Sequence, residues 1–95
     1  MCLAGGVPHL TLYSKPGCHL CEDARTVVDG VVGRLQASAS PLSIDVEEID
    51  IYSDPALVER YGEEIPVVLI DGRMHTYWRV DPTRLETALR AASEG

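Results

Sequence analysis

Cys18 and Cys21 are the residues of this chain best suited to chemistry, in the run Pro16-Gly17-Cys18-His19-Leu20-Cys21. The run lies where an extended apolar segment, His9-Leu10-Thr11-Leu12-Tyr13, meets a helical pattern. Side chains three residues apart in a helical turn are neighbours, with Cβ atoms about 5–6 Å apart. A disulfide needs Cα atoms about 4.4–6.8 Å apart, so such a pair closes and reopens with little backbone movement. The thiolate is the reactive form of cysteine, and a helix N-terminus favours it because the unpaired N–H groups there carry partial positive charge. Cys18 comes first and faces solvent more readily, so it is expected to attack and Cys21 to resolve. Lys15 adds positive charge nearby, and so does His19 when protonated. His19 between the cysteines can also donate toward the Cys18 sulfur, which would stabilise the reduced form.

The elements that hold this pair follow from the rest of the chain. Ninety-five residues make one domain, 1–95, with a modest core. There is no Phe, so aliphatic side chains must fill most of it. A net charge of −7 argues against a nucleic-acid or anionic-membrane binder. No apolar run reaches the roughly 18 residues of a spanning helix, and Met1 to Gly6 does not read as a signal peptide. The expected location is the cytoplasm, and the expected state a monomer. Three cysteines are too few for a disulfide scaffold, so C-x-x-C reads as redox or metal chemistry. One closely spaced pair is half of what structural zinc requires, and no metal is expected. Cys2 reads as an incidental thiol within a loose stretch, Met1 to Val7.

Residues 8–14 read as a strand, ended by Lys15-Pro16-Gly17. From His19 to Ala37 the apolar positions Leu20, Ala24, Val27, Val28, Val31 and Leu35 recur at gaps of three and four, the helical period. Gly30 and Gly33 weaken that helix, by about 1 kcal/mol each relative to Ala. Ser38 to Pro41 is a loop. Alternation over Leu42, Ile44 and Val46 predicts a strand over 42–51 with one solvated face. Asp54 caps a helix begun by Pro55 and stopped by Gly62, with Leu57, Val58 and Tyr61 on its apolar face. Ile65 to Ile70 reads as a strand buried on both faces, and Asp71-Gly72 as a hairpin turn into 73–80. Trp78 is expected in the core, and Arg79 at a solvated edge, with a substrate carboxylate as its alternative partner. Asp81-Pro82 starts the last helix, marked by Leu85, Ala88 and Leu89. Asp50 ends a strand near the sheet's carboxyl edge, where α/β folds bind ligands, and suits a turn or cap equally; Glu47-Glu48 suit a solvated surface. The order is βαβαββα: a mixed four-stranded sheet with three helices on its two faces, an α/β fold.

Two separated motifs resemble the thioredoxin superfamily and, within it, the glutaredoxin-like proteins: Leu12-Tyr13-Ser14-Lys15-Pro16-Gly17-Cys18-His19-Leu20-Cys21, and Ile65-Pro66-Val67-Val68 followed by Asp71-Gly72. The element order fits along residues 8–92. The resemblance implies a thioredoxin-like fold with Cys18 as nucleophile and Cys21 as resolving thiol. It implies that Pro66 is cis opposite the cysteines and that the backbone of Ile65 faces an extended substrate. Read without the family, Pro66 would be the first residue of a strand, where proline is tolerated. Lys15 matches a lysine that binds a glutathione carboxylate. The chain departs from typical glutaredoxins in two places. His19-Leu20 stands where Pro and Tyr are common. Asp71-Gly72-Arg73-Met74-His75 lacks the glycine pair and acidic residue that grip glutathione.

The expected activity is thiol–disulfide exchange on protein or small-molecule disulfides, with no cofactor. The donor that restores the dithiol is left open between glutathione, or another thiol, and a thioredoxin-type reductase. Two other readings stay open: a non-catalytic thioredoxin-fold module with a regulatory disulfide, and an iron–sulfur cluster carrier.

Overall fold

The computed structural model describes residues 7–39 and 41–94. The expectations for Cys2 and for Met1 to Gly6 lie outside the described residues. Four strands and three helices alternate as β1 (His9–Ser14), α1 (His19–Gln36), β2 (Asp45–Asp50), α2 (Pro55–Tyr61), β3 (Val67–Ile70), β4 (Arg73–Tyr77) and α3 (Pro82–Glu94). They form one mixed sheet in the order β2-β1-β3-β4. β1 and β2 run parallel, and the other two pairings are antiparallel.

Period-2 alternation in β1 sends Leu10 and Leu12 to one face. There they meet Ala24, Val28, Val31 and Leu35 of α1, Leu85 and Leu89 of α3, and Val68 and Ile70 of β3. Removing these aliphatic side chains from water is the main force holding α1 and α3 to the sheet. On the other face Tyr13 stacks on Tyr61, the last residue of α2, with ring centroids 4.7 Å apart. That second cluster gathers Cys21, Ile51, Tyr61, Ile65 and Val67, with Tyr13, Cys18, Leu57 and Leu69 packed against it.

The helix starts follow the capping logic. Asp54 Oδ1 accepts from the Ala56 N–H at 3.0 Å, and Asp81 Oδ1 from the Thr83 N–H at 2.8 Å. Asp50 accepts from the Tyr52 N–H at 2.8 Å and so caps a 3-10 turn, Ile51–Ser53, that precedes α2. Asp71 and Gly72 both have positive φ, +52° and +83°, as a two-residue hairpin turn demands.

Three expectations are corrected, and Gly62 ends α2 as expected. β2 begins at Asp45, not at Leu42, and Val46 is exposed because β2 is the sheet's edge and nothing covers that position. Val58 is exposed as well, which leaves Leu57 and Tyr61 to seat α2. Gly62 stops α2 with right-handed φ of −54°. A Cβ there would lie 2.5 Å from the Val58 carbonyl oxygen, so lack of space, not a left-handed turn, requires glycine. β4 ends at Tyr77, and Trp78 turns out of the sheet half-exposed instead of entering the core.

Candidate active site

β1 ends at Ser14, and Lys15-Pro16-Gly17 carries the chain to α1. Gly17 has φ of +72°, a conformation glycine adopts without the steric penalty of a Cβ. Cys18 then serves as the N-cap of α1, with extended backbone. It lies just outside the first helical turn, one position earlier than the spacing alone indicates. Its sulfur accepts a hydrogen bond from the Cys21 N–H at 3.2 Å, taking the place a Ser or Asp oxygen occupies in ordinary caps.

The two thiols meet different surroundings. Cys18 is partly exposed, and Cys21 is buried at 1% exposure on the α2 side of the core. Burial pushes the Cys21 thiol up to about 11, and its hydrogen bond with Cys18 adds to the rise. The Lys15 backbone N–H and ammonium pull the other way. Lys15 therefore bears on the resolving sulfur, beside whatever it does for a substrate.

Pro66 is cis to Ile65 and fully buried, in the position the resemblance implies. Ile65 packs in the same cluster as Cys21, with Cys18 against it. The structure thus brings together Lys15, Cys18, Cys21, Ile65 and Pro66. His19 is exposed, and among the described residues no hydrogen bond joins its ring to the Cys18 sulfur.

Two features were not legible in the sequence. Glu48 is no idle surface acid. One of its oxygens takes the Arg25 Nε–H at 2.8 Å, and the other takes the Ser14 hydroxyl at 2.8 Å together with an Arg25 Nη2 contact. Arg25 and Ser14 hold its carboxyl below the usual range, against a smaller effect of burial. This network forms one wall of a groove of about 400 Å³ lined by Ser14, Lys15, Pro16, Arg25, Glu48 and Asp50. The second feature is Trp78, whose backbone N–H donates to the Pro66 carbonyl at 2.8 Å and ties the end of β4 to the cis-proline loop. A pairing across 23 residues and a left-handed tryptophan leave no mark in hydrophobic periodicity.

A C-x-x-C at the N-terminus of α1 and a cis proline that leads into β3, in a mixed four-stranded sheet, mark a thioredoxin-like fold. A thioredoxin variant from Halobacterium salinarum shares that fold, at TM-score 0.64 and 20% identity over 93% of this chain and 76% of its own. The chain belongs to the family described as Glutaredoxin-like domain, whose model matches residues 9–90. A Mycobacterium tuberculosis protein, itself uncharacterized, is 32% identical over 93% of this chain and 89% of its own length. A crystal structure of a protein from X. campestris superposes at TM-score 0.65, with 32% identity over 86% of this chain and 96% of that one. Family and fold together support a function of the thiol-redox type. Among the described residues, no helix is long and apolar enough to cross a membrane.

Proposed function

We propose that this chain is a dithiol–disulfide oxidoreductase in which Cys18 is the nucleophile and Cys21 the resolving thiol. The observation that carries this reading is the asymmetry of the pair. The accessible Cys18 sulfur caps a helix and accepts an N–H, while the Cys21 thiol is buried and held protonated.

The reaction has two exchanges. Cys18 thiolate attacks one sulfur of a substrate disulfide, forming a mixed disulfide and expelling the other sulfur as a thiolate that takes a proton. Cys21 then loses its proton and attacks the Cys18 sulfur, releasing the second substrate thiol. The substrate gains two electrons, and the enzyme is left with a Cys18–Cys21 disulfide. Two electrons from an external thiol, glutathione among them, or from a thioredoxin-type reductase restore the dithiol. No cofactor takes part in the exchange. The high position of the Cys21 thiol suits this order, because it keeps the resolving sulfur from competing for the first attack.

Lys15 supports the second exchange by favouring the Cys21 thiolate. The backbone beside Ile65 and Pro66 is the natural place for an extended substrate to lie. A reducing compartment such as the cytoplasm fits a pair that must be returned to the dithiol.

The test is selective alkylation followed by peptide mapping. Iodoacetamide at neutral pH is expected to label Cys18 well before Cys21, and a Cys18→Ser variant to lose disulfide reduction. Equal slow labelling of both thiols, or a Cys18→Ser variant with parental turnover, would overturn the proposal.

A further inference from the structure

Pro66 has no N–H, so the ladder between β3 and β4 cannot continue in the ordinary way past the pairing of Val67 with Tyr77. One step further along the register Pro66 stands opposite Trp78. The Trp78 backbone N–H donates to the Pro66 carbonyl at 2.8 Å and, at longer reach, to the Glu64 carbonyl at 3.3 Å. Its indole Nε1–H donates to the Glu63 carbonyl at 3.0 Å. Three of the four successive carbonyls from Glu63 to Pro66 thus accept from one residue. Among the described residues, no hydrogen bond reaches the fourth, the Ile65 carbonyl.

Trp78 makes these bonds from an unusual backbone state. Its φ is +67°, a left-handed conformation that is costly for a bulky side chain. A tight turn holds it there. The Arg79 N–H donates to the Tyr77 carbonyl at 2.8 Å, and the Thr76 hydroxyl donates to the Arg79 carbonyl at 3.1 Å. The edge of the Trp78 ring also meets Tyr77, with centroids 5.0 Å apart. Strained residues persist where their surroundings over-determine them, and they cluster at ligand clamps. Glycine adopts this φ without cost. What tryptophan adds is the indole N–H, which reaches back to Glu63.

The stretch that Trp78 serves leads straight into the cis proline. Its start is anchored on α2, where the N–H groups of Glu64 and Ile65 both donate to the Tyr61 carbonyl, at 2.8 and 3.1 Å. Its far end is held by Trp78. Backbone fixed in this way before a partner arrives lowers the entropy lost on binding.

We infer that Trp78 is a positioning residue for the cis-proline loop. It fixes the backbone of residues 63–66 and leaves the Ile65 carbonyl as the acceptor for an extended polypeptide added as a strand. The place of the substrate beside Ile65 belongs to the dithiol reading, on which the inference rests for its chemistry. Trp78 holds that place ready, and so favours disulfides carried on a polypeptide backbone over small disulfides with no N–H to offer.

Two readouts test it on the intact, reduced protein. The first is the ratio of two second-order rate constants for oxidation of the dithiol, one by a disulfide-linked glycine–cysteine–glycine peptide and one by hydroxyethyl disulfide. The peptide offers backbone N–H groups and no apolar side chain, and the small disulfide offers neither. Trp78→Phe keeps an aromatic ring and removes the indole N–H. It is expected to lower the ratio of peptide to small disulfide by about three- to tenfold, the range of one hydrogen bond. Trp78→Gly, free of the left-handed cost, should show the same fall and serves as the second variant if Trp78→Phe does not fold. The second readout is amide hydrogen exchange. The Glu64 and Ile65 amides are expected to exchange about tenfold faster in either variant, measured against the Leu12 amide of β1.

A ratio that stays at the parental value would overturn the inference. So would an equal loss on both disulfides, which is the mark of a general structural defect, and so would unchanged exchange at Glu64 and Ile65. If the parent protein reduces neither disulfide, the dithiol reading fails, and hydrogen exchange still decides whether Trp78 holds the loop.

Discussion

The Cys21 backbone N–H donates to the Cys18 sulfur across 3.2 Å, so the two residues of the pair are bonded through the backbone of one and the side chain of the other. The nucleophile is thereby part of the helix cap, and the resolving residue is anchored behind it. Local folding and reactivity share the same atoms.

The buried Cys21 thiol makes stability depend on alkaline pH. Its folded value, about 11, lies above the ordinary cysteine value of 9.0. Below pH 9 both states are protonated, and the stabilisation is fully present. Between about 9 and 11 the unfolded chain loses its proton first, so stability falls as pH rises. The urea midpoint of the reduced protein is expected to drop across this window. Cys21→Ala should flatten the drop, and an unchanged slope would contradict the burial argument.

Glu48 gives the opposite dependence at the acid end. Its folded carboxyl titrates below the usual value of 4.5, so its contribution is present above that pH and disappears as pH falls through the folded value. Glu48 and Arg25 are both partly exposed, so solvent screening keeps the contribution small. Glu48→Gln is expected to lower stability by about 0.5–1 kcal/mol at pH 7 and by less at pH 3. Denaturant titrations at the two pH values check this.

Three glycines separate backbone conformation from helix propensity. Gly17→Ala places a Cβ at φ of +72° and is expected to destabilise by about 1–2 kcal/mol. Gly30 and Gly33 lie within α1 with nothing inside 4 Å of an added Cβ. Alanine at either is expected to stabilise by about 0.5–1 kcal/mol. Thermal unfolding of the three variants measures both signs.

The sequence carried much of this architecture because its signals were local. Helical spacing marked α1, Asp54-Pro55 and Asp81-Pro82 marked two helix starts, and Asp71-Gly72 marked the hairpin. The dithiol was legible from spacing, and the cis state of Pro66 only through resemblance. Tertiary position decided the rest. Val46 alternates like a core residue, but it lies on an edge strand. Aromatic size argued for a buried Trp78, whereas the backbone turns left-handed there and leaves the ring at a groove. Glu48 looked like ordinary surface charge because its partners, Arg25 and Ser14, are far from it in sequence.

The most direct test of the dithiol assignment is trapping the mixed disulfide. Cys21→Ala and Cys18→Ala variants would each be mixed with a disulfide peptide, quenched in acid and read by mass spectrometry. The account predicts a stable peptide adduct on Cys18 in Cys21→Ala and none on Cys21 in Cys18→Ala. An adduct on Cys21, or none in Cys21→Ala, would contradict it.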